Sequence, residues 1–324
     1  MIIGIDIGGA NMKVATFDGS FSRYIYTPLW RNRAIIYDVL ADVKRELEGG
    51  GIRGTGAVMT GELCGCFNTK REGVLYIKNA VTDMFGGAKF FDSYCTFKDN
   101  SYVDKNPLSF AATNWLASAK FLSEEYKNVI FVDIGSTTTD VIPIVVGKVK
   151  AKRTDLERLK YGELIYSGVL RTGVAHLLKR VKIRGEEYRI SSEYFATTAD
   201  AYLVLGYANE IYKPAFWCDG GVERAMQRLA RVVCSDLEEI GEEGAVSIAE
   251  QVKEAQVGEL IDSMKRIKAK YGLRKVISAG IGDYIVEEAA DSLNMDFLSL
   301  SSIYDKGLSS VFPAYAVAKL LETQ

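Results

Sequence analysis

Histidine is nearly absent from this chain of 324 residues, and its scarcity excludes several kinds of site. The one histidine, His176, cannot build a metal site from several imidazoles. Its apolar neighbours, Val174-Ala175 and Leu177-Leu178, predict a structural position on a helix face rather than a catalytic one. Any acid–base chemistry therefore falls to carboxylates, lysine, tyrosine or water.

Cysteine is also scarce and lacks the spacing of a metal site. The five cysteines are Cys64, Cys66, Cys95, Cys218 and Cys234. The run Cys64-Gly65-Cys66 has one intervening residue and no second pair, unlike zinc or iron–sulfur ligand sets. An odd number of cysteines in a long chain favours reduced, structural thiols.

Long apolar runs and an excess of positive charge are missing as well. No apolar run approaches the roughly 20 residues that a membrane-spanning helix needs. The net charge of −2 shows no excess of basic residues of the kind that binds nucleic acid. The opening run Met1-Ile2-Ile3-Gly4-Ile5 indicates a strand and not a signal peptide. We therefore expect a cytoplasmic protein that acts on small molecules, without a membrane or nucleic-acid partner.

What the chain does contain is the same motif twice. Ile5-Asp6-Ile7-Gly8-Gly9 near the N-terminus is matched by Val132-Asp133-Ile134-Gly135-Ser136 in the middle. Each copy follows an apolar run and returns to another, which indicates a strand, a tight turn and a second strand. One Asp-x-Gly turn alone is typical of an ordinary hairpin, but its repetition favours a duplicated fold around one cleft.

The chemistry of the repeated motif points to a bound phosphate chain. Successive backbone N–H groups in a turn form an anion-binding concavity, and glycine permits close approach. Two such turns would clamp a phosphate chain, while Asp6 and Asp133 would hold Mg²⁺ or another divalent cation. Lys13 would add a point charge. The predicted cofactor-binding residues are Gly8, Gly9, Asn11, Gly135, Ser136, Thr137, Thr138, Gly280 and Gly282.

The length predicts about two domains. We place the first at residues 1–127, with an irregular insertion at about 64–105 that includes a short strand at 73–77. The second covers 128–324, with an insertion at about 153–220. Apolar periodicity and turn residues predict helices at about 34–48, 107–122, 221–235, 245–271 and 311–322, strands at 55–63 and 128–133, and a strand–glycine–helix joint at 275–283.

Together these segments resemble the actin, sugar kinase and Hsp70 ATPase architecture, an α/β fold in which a ribonuclease H-like domain is duplicated around a central cleft. The residues in several short runs are similar to those of the hydantoinase/oxoprolinase-related proteins of methanogens and methylotrophs. These runs are residues 4–11, 59–63, 112–117, 133–140, 153–155 with 158–159, 162–168 and 171–172. The chain differs from the residues usual in that family at Gly173, where the family often has proline, and at Cys64-Gly65-Cys66.

The resemblance implies an enzyme of methanofuran biosynthesis. Archaeal members of the family include a transferase that joins γ-glutamyltyramine to an aminomethylfuran-methanol diphosphate and releases diphosphate. The enzyme's task would be positioning and stabilisation of the leaving group. Asp140 or Glu62 would take the phenolic proton. Arg171 would bind the γ-glutamyl carboxylates because its planar fork suits them, with Glu163 and Ser167 nearby, in a segment expected across the cleft from the Gly turns.

Two other functions stay open at this point. An ATP-dependent small-molecule kinase or hydrolase of the same architecture would use Gly280 and Gly282 in an adenosine pocket, so ATP is a possible but less favoured cofactor. A nucleotide-switched activator protein is the other, although Cys64 and Cys66 support a bridging metal cluster poorly. The inserted segment could instead build a homodimer contact.

Overall fold

The computed structural model describes residues 1–207 and 220–324. In chain order, its first elements are β1 (Ile2–Ile7), β2 (Asn11–Thr16), β3 (Ser22–Tyr26), α1 (Ile35–Leu47), β4 (Gly54–Met59), α2 (Lys70–Phe85), β5 (Lys89–Phe91), β6 (Phe97–Lys98), α3 (Asn100–Lys105) and α4 (Asn114–Glu125). Short 3-10 helices cover Glu48–Gly50, Pro107–Phe110 and Leu300–Ser302.

The later elements are β7 (Asn128–Ile134), β8 (Thr139–Val145), β9 (Lys148–Val149), α5 (Asp155–Tyr161), β10 (Leu164–Ile165), α6 (Val174–Leu177), β11 (Arg180–Ile183), β12 (Glu186–Arg189), α7 (Thr198–Val204), α8 (Gly221–Arg231), α9 (Leu237–Tyr271), β13 (Lys275–Gly280), α10 (Asp283–Ser292), β14 (Asp296–Ser299), α11 (Lys306–Ser310) and α12 (Phe312–Glu322). Cys218 and the end of the predicted 153–220 insertion lie outside the described residues. Within the described ranges, no helix is long and apolar enough to cross a membrane.

The chain divides into two compact units. Unit 1 comprises Met1–Asn128, Ile144–Glu157 and Leu300–Gln324, and unit 2 comprises Val129–Pro143 and Arg158–Ser299. The predicted boundary at 127/128 lies beside one of these breaks. The structure adds the C-terminal residues to unit 1, because α12 packs its buried face on β1, β4 and α4.

Unit 1 is built on a six-stranded sheet with the order β3-β2-β1-β4-β5-β6. Strand β1 pairs antiparallel with β2 and parallel with β4, so it lies inside the sheet, and its Ile3, Ile5 and Ile7 are fully buried. Helices α1 and α2 contribute Val39, Val43, Val74 and Ile77 to the same core. The predicted first hairpin and the predicted helix at 34–48 are confirmed.

Unit 2 repeats the same strand order. Its sheet runs β10-β8-β7-β13-β14, with β13 parallel to β7 and to β14, and β10 antiparallel to β8. This order matches β3-β2-β1-β4-β5 strand for strand, so the duplication predicted from the repeated motif is present in the topology. The central strand at 128–133 and the strand–glycine–helix joint at 275–283 are confirmed.

The strand match corrects the two predicted insertions. Residues 73–77 are not a strand but part of α2, which Thr69 caps by accepting from the Glu72 N–H at 3.1 Å. Its buried Val74, Ile77 and Val81 follow helical spacing, which the adjacent apolar residues obscured. Helix α2 and β5 match α10 and β14, and β10 matches β3, so parts of both predicted insertions belong to the repeated core.

The helix predicted from Asn106-Pro107 begins later than expected. Pro107 opens only a 3-10 turn, and Ala112 then adopts a left-handed backbone with φ of 50°. That conformation interrupts a continuous helix, so α4 starts at Asn114. The strand predicted at 55–63 ends at Met59, which leaves Thr60, Gly61 and Glu62 in a loop.

The remaining helix predictions hold with shifted bounds. The pair predicted at 221–235 and 245–271 corresponds to α8 and to α9, which begins at Leu237 and bends at Gly241. The final predicted helix, 311–322, is α12. The helix predicted around His176 is present as the four-residue α6, and His176 is exposed on it.

Candidate active site

The two repeated motifs form turns with the same backbone hydrogen bond. In the first turn, residues 8–11, the N–H of Gly8 donates to the carbonyl of Asn11 at 2.9 Å. In the second turn, residues 135–138, the N–H of Gly135 donates to the carbonyl of Thr138, also at 2.9 Å. The repeat in the sequence is therefore a repeat in backbone conformation.

Asp6 is buried at the end of β1, beside the first turn. It lies directly opposite Lys13 in the β1–β2 ladder, so the two side chains share one face of the sheet. Lys13 Nζ is 3.5 Å from Asp6 Oδ2, and the Asn114 amide donates to the same oxygen at 3.5 Å. Asp6 Oδ1 is buried without a hydrogen-bond partner among the described residues.

This environment leaves the Asp6 carboxylate short of compensating charge. Burial raises the pKa of Asp6, while Lys13 and the Asn114 hydrogen bond lower it by smaller amounts. A cation at Oδ1 would favour the ionised form. The described residues contain no group of three histidine, cysteine or acidic side chains that could hold a metal, so a site built from three such side chains is absent there.

Glu62 is a second buried carboxyl group in unit 1. It follows Thr60 and Gly61, whose N–H groups donate to the carbonyl of Ile7 at 2.9 and 3.0 Å, and the loop therefore packs beside the first turn. Glu62 Oε2 is buried without a hydrogen-bond partner among the described residues. Burial raises the pKa of Glu62 to about 7, although the N–H groups of Glu62 and Ala112 lower it in part.

The carboxyl group equivalent to Glu62 in unit 2 is Asp283. Met59 pairs with Ile7, and Gly280 pairs with Ile134, so Glu62 and Asp283 each stand three residues beyond equivalent ladder positions. Unlike Glu62, Asp283 accepts hydrogen bonds on both oxygens. Ser278 donates to Oδ1 at 2.7 Å, and Ser299 donates to Oδ2. The repeat thus carries one carboxylate whose two oxygens both accept hydrogen bonds, Asp283, and one with a buried oxygen that accepts none among the described residues, Glu62.

Asp133, the counterpart of Asp6, is buried at the end of β7. Gly280 lies against it in the neighbouring strand with φ of 91°. A Cβ atom on Gly280 would stand 2.6 Å from Asp133 Oδ1 and 2.3 Å from the carbonyl of Ile134. Gly280 is therefore required for the close approach of β13 to Asp133, which places one predicted binding glycine beside this aspartate.

Asp140 occupies the position equivalent to Lys13, but the structure gives it a different environment from that expected of a base. Arg158 Nη2 is 2.5 Å from Asp140 Oδ1, and Arg158 is 1% exposed. The same Nη2 also donates to the carbonyl of Glu163 at 3.0 Å. The Arg158–Asp140 ion pair connects β8 to the segment that leads into β10, which gives Asp140 a structural role.

The predicted substrate residues lie in or just before a segment, residues 167–172, that we call the strap. The strap contacts the second turn directly instead of facing it across a cleft. The N–H of Val169 donates to the Gly135 carbonyl at 3.1 Å, and the N–H groups of Leu170 and Arg171 donate to the Ser136 carbonyl at 3.1 and 3.0 Å. Arg171 is therefore next to the second turn.

Ser167 and Glu163 make structural contacts here. The buried Ser167 hydroxyl contacts Gln256 Nε2 at 2.8 Å, and Gln256 in turn accepts from the Tyr202 hydroxyl at 2.5 Å. The buried Glu163 pairs its backbone with Val141 and Arg158. These contacts account for both residues as parts of the framework that holds the strap.

Sequence reasoning missed three residues that shape these sites. Asn114 and Ala112 lie inside a run that carried the family resemblance, but their roles depend on the left-handed turn that no local pattern indicated. Arg158 also lies in such a run, and a buried arginine in a polar helix gives no apolar signal. Only the fold brings these residues to Glu62, Asp6 and Asp140.

A solved structure with this fold confirms the predicted architecture. A ROK family glucokinase from Streptomyces griseus, solved in complex with glucose and AMPPNP, superimposes with a TM-score of 0.52 at 14% identity, covering 100% of this chain and 99% of that one. At this identity the similarity concerns the fold alone. Together with the repeated strand order, it confirms the duplicated α/β fold of the actin and sugar kinase type.

Two curated proteins are similar in sequence. One, from Methanocaldococcus jannaschii, is 36% identical over 334 aligned residues that cover 100% of this chain and 98% of the relative. The other, from Methanococcus vannielii, is 35% identical over 214 residues, covering 64% of this chain and 96% of the relative. Both bear the name (4-{4-[2-(γ-L-glutamylamino)ethyl]phenoxymethyl}furan-2-yl)methanamine synthase.

The family model described as Hydantoinase/oxoprolinase matches residues 53–324, which include Glu62, the second turn and the strap. The match extends over most of the chain, and the full-length relative agrees with the resemblance carried by the sequence motifs. The chain therefore belongs to the hydantoinase/oxoprolinase family, in which its curated relatives are the furan-2-yl methanamine synthases.

Proposed function

We propose that this protein is a transferase of methanofuran biosynthesis that condenses an aminomethylfuran-methanol diphosphate with the phenol of γ-glutamyltyramine. The observation that carries the proposal is the 36% identity, over the whole chain, to a synthase whose name states its product. In that product a phenoxymethyl group joins a γ-glutamylated tyramine to a furan ring. The bond formed is thus an aryl ether between the phenol oxygen and the furan CH2 carbon.

The reaction balances with diphosphate as the leaving group. The C–O bond to diphosphate breaks, and its electron pair leaves with the diphosphate. The phenol oxygen forms the new bond to the CH2 carbon and loses its proton to a base. The furan ring stabilises positive charge on that carbon, so bond breaking can precede attack. The protein's share is to neutralise the leaving group, orient the phenol and accept the proton.

Diphosphate binding is assigned to the two turns and their aspartates. Asp6 and Asp133 hold equivalent positions, and the orphaned Asp6 Oδ1 fits a site for Mg²⁺ or another divalent cation. Magnesium takes one or two carboxylates and completes its shell with substrate phosphates and water, so no three-residue protein cluster is needed. When bound, the ion would neutralise charge on the departing diphosphate. Lys13 would add a fixed positive charge beside Asp6.

Glu62 is assigned as the base for the phenolic proton. A carboxyl group with a pKa near 7 accepts a proton more readily than an ordinary glutamate and is still partly ionised at neutral pH. Its unpartnered Oε2 supplies the lone pair. Asp140 was the alternative, but its ion pair with the buried Arg158 favours a structural role.

Recognition of the phenol substrate is assigned to the strap. The Arg171 backbone is held on the second turn by its N–H, and its carbonyl accepts from the Tyr194 hydroxyl at 2.8 Å. These two bonds fix the backbone from which the guanidinium projects, and a guanidinium suits the α-carboxylate of a γ-glutamyl group.

The decisive experiment incubates purified protein with a synthetic aminomethylfuran-methanol diphosphate, γ-glutamyltyramine and Mg²⁺, without ATP. Mass spectrometry should detect the ether, and diphosphate should be released in equal amount. Omitting Mg²⁺ or adding a chelator should abolish turnover. Product that forms only with ATP, and not from the diphosphate, would contradict the proposal and support an ATP-dependent kinase of the same fold.

The aspartates provide the test of the assigned sites. Asp6→Asn and Asp133→Asn should each lower kcat by roughly 100-fold or more, because each removes charge that positions the metal–diphosphate. Thermal unfolding should show that both variants remain folded. Wild-type turnover by both variants would remove the metal-holding role while leaving the overall reaction intact.

A further inference from the structure

We propose that the strap aims the backbone donors of the second turn at the diphosphate, and that Thr198 is the positioning residue that holds the strap in place. This inference rests on the proposed function for the identity of the ligand. Its structural basis lies entirely in unit 2, in contacts among the second turn, residues 167–172 and the start of α7.

The first step is the orientation of the peptide groups in the turn. The carbonyls of Gly135 and Ser136 both accept hydrogen bonds from strap N–H groups. In a trans peptide the carbonyl and the following N–H point in opposite directions. The N–H groups of Ser136 and Thr137 are therefore directed away from the strap. The strap thus fixes the direction of two donors before any ligand arrives, which is the arrangement that favours electrostatic stabilisation of a developing anion.

The second step is how closely the strap approaches the turn. Gly168 lies directly on it, and a Cβ atom at this position would stand 2.5 Å from the Thr137 nitrogen and 2.7 Å from the Gly135 carbonyl oxygen. No other residue fits without moving either backbone. At the strap's first residue, the Thr139 hydroxyl donates to the Ser167 carbonyl at 2.7 Å. The turn and the strap are therefore held together at several points.

The third step is what holds the strap from behind. The Thr198 hydroxyl donates to the Gly168 carbonyl at 2.8 Å, and the Thr198 N–H donates to the Thr172 carbonyl at 2.8 Å. Thr198 is fully buried. It stands in the first turn of α7, where Asp200 accepts from the Thr197 N–H at 2.9 Å and pairs with Arg228. A capped, ion-paired helix start thus supports a hydroxyl that reaches the Gly168 carbonyl from outside the strap, where the strap's own Thr172 hydroxyl also donates at 3.2 Å.

The first turn of unit 1 is held by a similar backbone contact, so the strap in unit 2 extends an arrangement that both repeats have. There the N–H of Leu29 donates to the Gly9 carbonyl at 3.0 Å, and Gly9 is equivalent to Ser136. The segment after β3 therefore contacts the first turn as the strap contacts the second. The first turn also receives the Thr27 N–H on its Ala10 carbonyl at 2.8 Å, so it has two such bonds. The second turn receives three, and the Thr198 hydroxyl supports its strap from behind.

Thr198→Val tests the proposal because it keeps the shape of the side chain and removes the hydroxyl. Hydrogen exchange should show roughly tenfold faster exchange of the Val169, Leu170 and Arg171 amides than in the wild type. The dissociation constant of inorganic diphosphate with Mg²⁺ should rise roughly tenfold. The Michaelis constant for the furan diphosphate should rise as well.

Two matched variants separate this effect from general destabilisation. Thr198→Ser keeps the hydroxyl and should restore both the exchange protection and the diphosphate affinity. Thr82→Val removes a comparable hydroxyl, which donates to the Lys78 carbonyl in α2, and should leave the strap and diphosphate binding unchanged. Exchange rates and diphosphate affinity equal to wild type in Thr198→Val would overturn the proposal.

The wild-type protein supplies a measurement that needs no variant. Saturating diphosphate with Mg²⁺ should slow exchange of the strap amides, since ligand and strap stabilise the same turn conformation. Diphosphate that binds without changing their exchange would also overturn the proposal. Failure of wild-type protein to bind diphosphate would instead contradict the proposed ligand, and the unliganded comparison of Thr198→Val with wild type would still decide whether Thr198 holds the strap.

Discussion

Replacing Glu62 with glutamine should remove a pH dependence from the stability of the protein. Burial raises the pKa of Glu62 to about 7 from an ordinary value of 4.5. Below about pH 4.5 this carboxyl is protonated in both the folded and the unfolded chain. Between pH 4.5 and 7 the unfolded chain releases the proton while the folded protein retains it. The free energy of unfolding therefore falls as the pH rises through this window.

The size of the effect follows from the shift in pKa. At about 1.4 kcal/mol for each unit, the shift corresponds to about 3 kcal/mol of stability that is lost by pH 8. Glutamine has nearly the same shape and carries no charge at any pH. Glu62→Gln should thus match wild type near pH 4.5 and exceed its free energy of unfolding by about 3 kcal/mol at pH 8.

Urea unfolding at several pH values from 4.5 to 8 measures this difference directly. Glu254→Gln, which changes an exposed glutamate on α9, is the matched control and should track wild type at every pH. A gap between wild type and Glu62→Gln that stays constant across the range would refute the reasoning. In kinetics, wild-type kcat/KM should rise through about pH 7, whereas Glu62→Gln should be slow and nearly independent of pH.

Two further predictions concern Asp140 and the strap. Asp140→Asn should destabilise the protein by about 3–5 kcal/mol in urea unfolding, because it leaves Arg158 buried without its charge partner. Adding Arg158→Met should recover at least half of that loss; full stability of the single variant together with lost activity would instead give Asp140 a chemical role. Arg171→Ala should raise the Michaelis constant for γ-glutamyltyramine roughly tenfold and that for the furan diphosphate much less. Steady-state kinetics with each substrate varied in turn would detect equal changes, which would contradict the assignment.

The parts of the fold that local pattern determines were predictable from the sequence. The repeated Asp-x-Gly motif predicted both hairpins, and the apolar run before Asp133 predicted a central strand. The helix at 34–48 followed from its spacing. In each case neighbouring residues carry the information, since a tight turn or an amphipathic face is defined within a few positions.

Features set by distant contacts were not predictable in the same way. Residues 73–77 of helix α2 give the pattern of a short strand, because Leu75 and Tyr76, next to its buried positions, obscure the helical period. The left-handed turn at Ala112 had no glycine to indicate it. The strap was expected to face the turns, but its position depends on backbone hydrogen bonds between residues some 30 positions apart. Such pairings leave no periodic signal.

In the candidate site, too, some residues are indicated by local sequence and others are distinguished only by the fold. The sequence identified Asp6, Asp133 and both turns, because duplication made them visible. It gave no reason to prefer Glu62 over Asp140, since both are single acidic residues near strand ends. The buried Oε2 of Glu62, which has no hydrogen-bond partner among the described residues, and the ion pair at Asp140 distinguish them, and both properties arise only in the folded chain.

The packing of α12 on β1 has a consequence for how the protein matures. Strand β1 leaves the ribosome well before the helix that covers it, which is encoded about 300 positions later. During synthesis this face of the sheet stays open, and Ile3 and Ile5 lack their final neighbours. Unit 2, whose residues all precede α12, can complete its core first. The apolar face of the unit 1 sheet should therefore stay exposed to aggregation or chaperone binding until α12 has left the ribosome.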